Sequence, residues 1–437
     1  MLISAKLEEE YTFDSIILHM MMGRRGARSF ITMMIFIIDK GLAWSSSLCK
    51  KRNRCTLSMK IKVGLVGLPN VGKSTLFNAI AQKTIAEAKN FPFCTIDPNI
   101  TPIPIPDPNL LKLATLANSK KTIPVNLYLI DVAGLVKGAS RGEGLGNKFL
   151  ATIRECDIII HVVRSYIDDD VIHVDGKIDP IADSEVVNLE LLLADLSHVQ
   201  RRLEKTTCVG EERDVLVRVS SALDNGIPAR SVGLTPDEAS TIKSMGLLTL
   251  KPVIYAFNVD EVDFALNRDE ITKLTEAYMK QIQYCDLDKD SYLIVSAKLE
   301  TEMSSLPEEE RIEYMQSIGL EFSDSDAIGK ILSYNSLPLK VKNVLDLKSV
   351  YTGPGVPSER SQTTKTHILA SNSMSASTLA GRLHGDLKKG FMHAEVINSQ
   401  DLIQYDNYNA AKEDGSIRME GKEYTLQDGD VIYIKWK

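Results

Sequence analysis

Residues 61–75 read Ile61-Lys62-Val63-Gly64-Leu65-Val66-Gly67-Leu68-Pro69-Asn70-Val71-Gly72-Lys73-Ser74-Thr75. The run from Ile61 to Gly67 is nearly all apolar, which fits a strand buried on both faces of a parallel sheet. From Gly67 the stretch matches G-x-x-x-x-G-K-[S/T], and Leu76, Phe77, Ala79 and Ile80 continue it as a helix. Glycines in such a loop let backbone N–H groups curl around a phosphate, and the helix N-terminus adds partial positive charge. Gly67, Asn70, Val71, Gly72, Lys73, Ser74 and Thr75 are therefore the expected triphosphate cradle. Lys73 reaches the β- and γ-phosphates and the Ser74 hydroxyl ligates Mg2+. The fold class is α/β, a P-loop NTPase with a parallel-type sheet.

A second station lies about sixty residues on. Val125 to Ile130 is another apolar strand, running into Asp131-Val132-Ala133-Gly134. A strand-end Asp is most often a turn or cap. Behind a phosphate loop, however, Asp131 can hold Mg2+ through a water and Gly134 can offer its N–H to the γ-phosphate. Between the stations, Asn90-Phe-Pro-Phe-Cys-Thr-Ile-Asp-Pro-Asn99 falls where a first switch loop belongs, with Thr95 the second Mg2+-ligating hydroxyl. Five glycines from Gly134 to Gly146 mark a loop suited to an order–disorder switch. Leu135 stands where many switch GTPases carry the Gln that orients the attacking water, so slow basal turnover is expected.

Base recognition should end later strands. Lys251 to Phe257 leads into Asn258-Val259-Asp260-Glu261, and Ser291 to Val295 leads into Ser296-Ala297-Lys298. Asn258, Val259, Glu261, Ser296 and Ala297 are the candidate base-site residues. Guanine specificity in this fold comes from N-K-x-D, whose Asp accepts two hydrogen bonds from the base. Here Val259 replaces the lysine and Glu261 is one methylene longer than Asp. GTP preference should be lost, and selection for adenine falls to backbone groups near Asn258 and Val259.

The chain has 437 residues, 44% apolar and 25% charged, which suits two or three globular domains. A net charge of −7 does not mark a nucleic-acid binder as a whole. No apolar run reaches membrane-span length, so no membrane contact is expected. Six scattered cysteines without C-x-x-C read as reduced thiols. Residues 1–58 carry +4 and the remaining 379 carry −11. This extension is either an organelle-targeting leader or dispensable, with Met59 the start; Glu8, Glu9 and Glu10 are wrong for a transit peptide.

From Met59 the chain resembles the YchF/Obg-like ATPase family of translation-factor-class GTPases. The resemblance rests on Gly64 to Thr75, Asn90 to Asn99, Asp131 to Ala139 with Gly142 to Asn147, and Asn258 to Glu261. Lys389-Gly-Phe391 and Ala394-Glu395-Val396 extend it. It implies a P-loop domain at 59–184 and 249–345, an inserted helical coiled-coil hairpin at 185–248, and a TGS domain of β-grasp type at 349–437. It also implies Mg2+-dependent ATP hydrolysis, with GTP weaker or equal, and ribosome association, with the large subunit as partner and RNA contact through the TGS domain. A monomer in the cytoplasm is expected, or in plastid or mitochondrion if 1–58 is a leader. Asn70 resembles the loop asparagine of K+-stimulated GTPases, so K+ is a candidate second cofactor.

Two further segments bear on architecture. Apolar residues at 186, 189, 193, 196, 199 and 203 form a helical stripe, read as an internal seam. Thr235-Pro236-Asp237-Glu238 is a capping box opening another helix. Asp428-Gly429-Asp430 is a turn before the alternating strand Val431 to Trp436. Lys365, Arg382, Lys388, Lys389 and His393 form a candidate RNA-facing patch. Arg360 to Leu369 departs from the family's pattern, which puts the first TGS strand in question. Two rivals stand beside the ATPase reading: a conventional GTPase, and a nucleotide-binding ribosomal module with negligible turnover.

Overall fold

The computed structural model describes residues 60–88, 99–132, 134, 145–166, 178–266, 268–319, 332–353, 363–369 and 374–437. The 1–58 extension, the 90–98 segment with Thr95, and the 135–144 loop with Leu135 lie outside the described residues.

Two six-stranded sheets organise the chain. The strands are β1 (Ile61–Val66), β2 (Ile100–Pro104), β3 (Lys121–Ile123), β4 (Asn126–Asp131), β5 (Ile158–Arg164), β6 (Val253–Asn258) and β7 (Ser291–Val295). They continue with β8 (Lys348–Thr352), β9 (Thr363–Leu369), β10 (Phe391–Asn398), β11 (Arg418–Glu420) and β12 (Asp430–Trp436). The first sheet has the order β2-β4-β1-β5-β6-β7, parallel except for β2 against β4. Helices on both faces bury its strands, so β5 and β6 are apolar at nearly every position. Leu65, Ile80, Leu127, Ile160 and Ile254 are among the buried residues of this core. The C-terminal ends of β1, β4, β5 and β6 meet on one edge, where open α/β sheets bind ligands.

The helix expected from Ser184 begins earlier, at Pro180, where Asp179 accepts from the Ala182 N–H at 3.1 Å. It is buried on two sides. Val187, Leu191 and Ala194 join the core of the first sheet. Leu192 and Val199 pack with Val215, Leu216, Val219 and Leu223 of the next helix, Glu211–Asp224. Leu189, placed in the apolar stripe by spacing, is exposed. Two partners on different sides need two overlapping apolar stripes, which a single period cannot represent. Thr235 and Glu238 form the expected capping box of the helix Pro236–Thr241. Asp195 ties this helical layer down, accepting from Arg154 at 3.0 Å and from the Thr249 N–H at 2.7 Å. A buried Arg230–Asp290 pair at 2.6 Å closes the other end.

The second sheet has the order β11-β10-β12-β8-β9-β3. Its outer strand, β3, comes from the stretch expected to lie wholly in the nucleotide-binding domain. Lys121–Ile123 pairs in parallel with β9 instead. The helix just before it, Pro108–Leu116, buries Leu110 and Leu113 against Tyr351, Ile397 and Val431. Asp107 both caps this helix and accepts from Tyr351 and Thr366, each at 3.1 Å. One face of the second sheet is thus covered by a helix from far upstream. The segment around 363–369, in question from sequence, forms β9, with Thr364 and Thr366 buried.

The five-residue basic patch assembles only in part: Lys365 and Arg382 both act on His367, and Lys388 lies beside Gly381 in the helix that carries Arg382, whereas His393 lies on the other face. Strand alternation puts Lys365 and His367 on the face shared with Val350, opposite the face of Tyr351 and Thr366. His393 alternates with Glu395 and Ile397 on the Tyr351 face. Lys388 and Lys389 are exposed on the short helix Gly385–Lys389.

Candidate functional site

The loop from Gly67 to Gly72 joins β1 to the helix Lys73–Ala88. Gly67 has φ +155 and Gly72 φ +93, and a Cβ at either would lie 2.4 Å from its nearest neighbour. Those neighbours are the Val162 carbonyl for Gly67 and Asn258 Nδ2 for Gly72, so no side chain fits at either position. Asn70 also takes a left-handed conformation, φ 61. The Leu76 N–H donates to the Gly72 carbonyl at 2.9 Å, starting the helix. Ser74 and Thr75 are exposed on its first turn.

Lys73 is buried and donates to the Leu68 carbonyl at 2.5 Å. Burial lowers its pKa to about 8, against the opposing pull of the Asp131 charge. Asp131 ends β4, and its N–H donates to the Asn99 carbonyl at 3.0 Å. Its Oδ1 is buried without a hydrogen-bond partner among the described residues. Gly134 sits against the loop: a Cβ there would be 3.0 Å from Pro69 N. These donors fit Mg2+, which takes one or two carboxylates or hydroxyls plus phosphate oxygens and water rather than a protein cage. No cluster of three His, Cys, Asp or Glu suited to a metal occurs among the described residues.

Beside the loop lies a cleft of about 570 Å³, lined in part by Gly72, Thr75, Tyr166, Asn258, Glu261, Ala297 and Lys298. Asn258, at the end of β6, is buried and bridges two elements. Its Nδ2 donates to the Val71 carbonyl at 3.0 Å, and its Oδ1 accepts from the Ala297 N–H at 2.9 Å. Glu261 lies 2.5 Å from Lys298 through Oε1. Asp260 accepts from the Asp263 N–H at 2.8 Å, capping its own helix, as its place one residue early requires.

Three details differ from the sequence expectation. Ser296 caps the helix Ala297–Ser305, its hydroxyl accepting from the Leu299 N–H at 3.4 Å, and Ala297 lines the cleft instead. The backbone groups expected to select adenine are engaged in strand edges. The Val259 N–H donates to Val295 at 2.9 Å, and the Asn258 carbonyl accepts from Ser165 at 2.8 Å. Tyr166, not singled out by sequence, brings an aromatic ring to the cleft with the Arg164 guanidinium 4.7 Å from its centroid. Its signal was present: it follows the mostly apolar, fully buried strand β5 at the binding edge of a parallel sheet.

Known proteins share this arrangement. A family model described as "50S ribosome-binding GTPase" matches residues 62–194. A second, YchF-GTPase_C, described as "Protein of unknown function (DUF933)", matches residues 362–437. "Ribosome-binding ATPase YchF" of Bacillus subtilis (strain 168) is 41% identical over 388 residues, 86% of this chain and 100% of the relative. "Obg-like ATPase 1" of Caenorhabditis elegans is 35% identical, covering 87% of this chain and 93% of that one. The solved "Structure of the Schizosaccharomyces pombe YchF GTPase" matches with a TM-score of 0.72 and 31% identity, over 86% of this chain and 98% of that one. The phosphate loop, the sheet that carries it and this length of shared sequence lead to one assignment: the chain belongs to the YchF family of P-loop nucleotide hydrolases.

Proposed function

We propose that this protein is an Mg2+-dependent ATPase that acts as a nucleotide switch on the ribosome, working as a monomer in the cytoplasm. Lys73 and the loop amides hold the phosphates, Ser74 and Thr95 hold the metal, and Asp131 stands behind it through water. Catalysis in this class is positioning plus electrostatics. Held by Ser74 and Thr95, Mg2+ would supply positive charge against the charge that develops on the phosphates. Asn70 and K+ supplement a site that has Leu135 in the usual glutamine position.

The observation that carries the ATP reading is the state of the Asn258–Glu261 segment. Asp260 is committed to its own helix, Glu261 shares its charge with Lys298, and the Ala297 N–H is held by Asn258. A guanine carbonyl finds no free donor in that amide, and its ring N–H and amine find no unshared carboxylate. Tyr166 offers a stacking face that either purine can use.

Ribosome contact is assigned to exposed basic groups of the C-terminal sheet region, such as Lys388 and Lys389, and to the helical layer. The B. subtilis relative carries the name of a ribosome-binding ATPase, which supports this. The solved S. pombe relative is called a GTPase, which makes GTP the second reading. Side-by-side dissociation constants decide between them: GTP about tenfold tighter than ATP overturns the ATPase reading. Single-turnover hydrolysis with and without ribosomes separates a switch from an inert module. Equal rates in K+ and Na+ remove the K+ assignment.

A further inference from the structure

One face of the second sheet is covered by the helix Ala376–Leu383, whose Leu379, Ala380 and Leu383 pack with Val350 and Leu369. His367 stands opposite Val350 in the β8–β9 register, so it lies on this covered face. Lys365, two residues earlier on the strand, lies on it too. His367 Nε2 and Thr352 Oγ1 are 2.9 Å apart. Arg382 sits in the last turn of the covering helix. The stem of Lys388 runs against Gly381, the neighbour of Arg382: a Cβ on Gly381 would be 2.9 Å from Lys388 Cδ. Strand and helix thus bring three cations to one corner of the sheet.

No carboxylate answers them among the described residues. The half-buried Arg154 and Arg202 pair with Asp195 at 3.0 Å and with Glu212 at 2.7 Å. Arg382 is half-buried as well, yet neither it nor Lys365 nor Lys388 enters an ion pair among the described residues. Burial, then Lys365 and Arg382, push the His367 imidazole down to about 3, with no acidic group of the described residues acting against them. Like charges gathered on a half-buried surface repel one another, and an anion among them removes that cost. A guanidinium with ammonium groups nearby suits phosphate oxygens, which take paired hydrogen bonds from arginine and a point charge from lysine.

We propose that Lys365, Arg382 and Lys388 form a binding site for a phosphate group beside His367 and Thr352. The site belongs to the second sheet, whereas the triphosphate cradle belongs to the first. His393 takes no part, since it lies on the other face. The same chemistry has two sources, the backbone of an RNA strand or a free polyphosphate. In the RNA case the site deepens the ribosome contact proposed above and rests on it; as a phosphate site it stands without that reading.

The test uses the full chain saturated with ADP, so that the phosphate loop is filled. Two probes are titrated: a short fluorescein-labelled single-stranded RNA, by anisotropy, and inorganic tripolyphosphate, by calorimetry. Lys365→Gln combined with Arg382→Gln removes two charges and keeps polar side chains. The expected result is binding weakened about tenfold or more and, for RNA, a salt slope shallower by about 0.7 per cation removed. Arg382→Lys keeps the charge and should hold the wild-type RNA slope. Lys388→Gln, at an exposed position, guards against misfolding of the double variant and should by itself weaken the same probe about threefold. Lys280→Gln, on an exposed position of the helix Arg268–Gln281, should change neither affinity. Loss of RNA binding assigns the phosphate to a strand. Loss of tripolyphosphate alone assigns it to a free polyphosphate, which keeps the site and removes the RNA contact from it. The proposal is overturned by a wild type that binds neither probe, by a double variant or Lys388→Gln that binds both as wild type does, or by an equal loss in Lys280→Gln, which would show net charge alone at work.

Discussion

Asn258 Nδ2 donates to the Val71 carbonyl at 3.0 Å, joining the end of β6 to the phosphate loop across 187 positions of sequence. The same side chain accepts from the Ala297 N–H, so one amide holds loop, strand and the start of the next helix. Asn258→Ala leaves a buried carbonyl and a buried N–H unpaired, a cost of about 1–3 kcal/mol each. The expected outcome is a clear drop in the urea midpoint and ATP binding weakened by about tenfold or more. Asn258→Ala with wild-type stability and affinity would show that the bridge is not what orders the loop.

Lys73 couples binding to protonation. Its folded-state pKa is about 8, below the ordinary 10.5, because burial disfavours the ammonium. Between those values the unfolded chain binds more protons, so stability of the ligand-free protein rises with pH across about 8 to 10.5. Below pH 8 the penalty is present in full, on the order of 3 kcal/mol. Lys73→Met should therefore raise ligand-free stability at pH 7 while abolishing tight triphosphate binding. A bound triphosphate restores the favourable state of the ammonium, so binding near pH 8.5 takes up protons. Calorimetry in buffers of different ionisation enthalpy reads this directly, and a buffer-independent enthalpy refutes it.

One buried and one half-buried histidine set the acid limit. His161, its ring tilted against that of Tyr255 at 5.2 Å between centroids, is pushed down to about 3 by burial and then by the Lys73 charge. His367 is also pushed down to about 3, by burial and then by Lys365 and Arg382. Each is neutral when folded but gains a proton near 6.5 when unfolded. Each therefore contributes stability that is present above pH 6.5 and is lost progressively as pH falls toward 3. From pH 7 to pH 5 the loss is about 2 kcal/mol per residue. His161→Phe should flatten that slope by roughly half while lowering stability at pH 7. Denaturant midpoints at pH 7, 6 and 5 check it; an unchanged slope would place the acid sensitivity elsewhere.

Removing residues 351–437 is not a clean test of ribosome contact. It strips Tyr351 and Thr366 from Asp107 and uncovers Leu110 and Leu113. The truncated chain should aggregate, as light scattering after gel filtration would show. Leu113→Ala should cost about 2–5 kcal/mol and destabilise the C-terminal sheet along with its own helix. Loss of Leu113 without any effect on protection of β8 and β12 amides would contradict the shared core.

Exposed cations make the better probe. Lys388→Ala combined with Lys389→Ala leaves both sheets intact and should weaken co-sedimentation with ribosomes, more so at low salt, with a shallower salt slope than wild type. Binding with an unchanged slope would move the contact to the helical layer.

The phosphate loop, the strand before it, the strand-end aspartate and three further apolar strands of the first sheet (β4, β6 and β7) were legible because each is written in adjacent residues. Two glycines, a lysine and a hydroxyl are needed at fixed spacing around a phosphate, and a strand buried on both faces is mostly apolar. The capping box at Thr235 is local in the same sense. What only the tertiary structure decided depends on residues far apart. β3 is three residues of ordinary composition, and its partner β9 lies 242 positions away from Lys121 to Thr363. The helix from Pro180 faces two cores at once, so its stripe blurred and Leu189 was misplaced. His393 fell on the face opposite Lys365 because alternation along a strand is set by register, which needs the neighbouring strand to be known. The pairing of Lys298 with Glu261 beside the cleft joins two loops that meet only because β6 and β7 lie side by side.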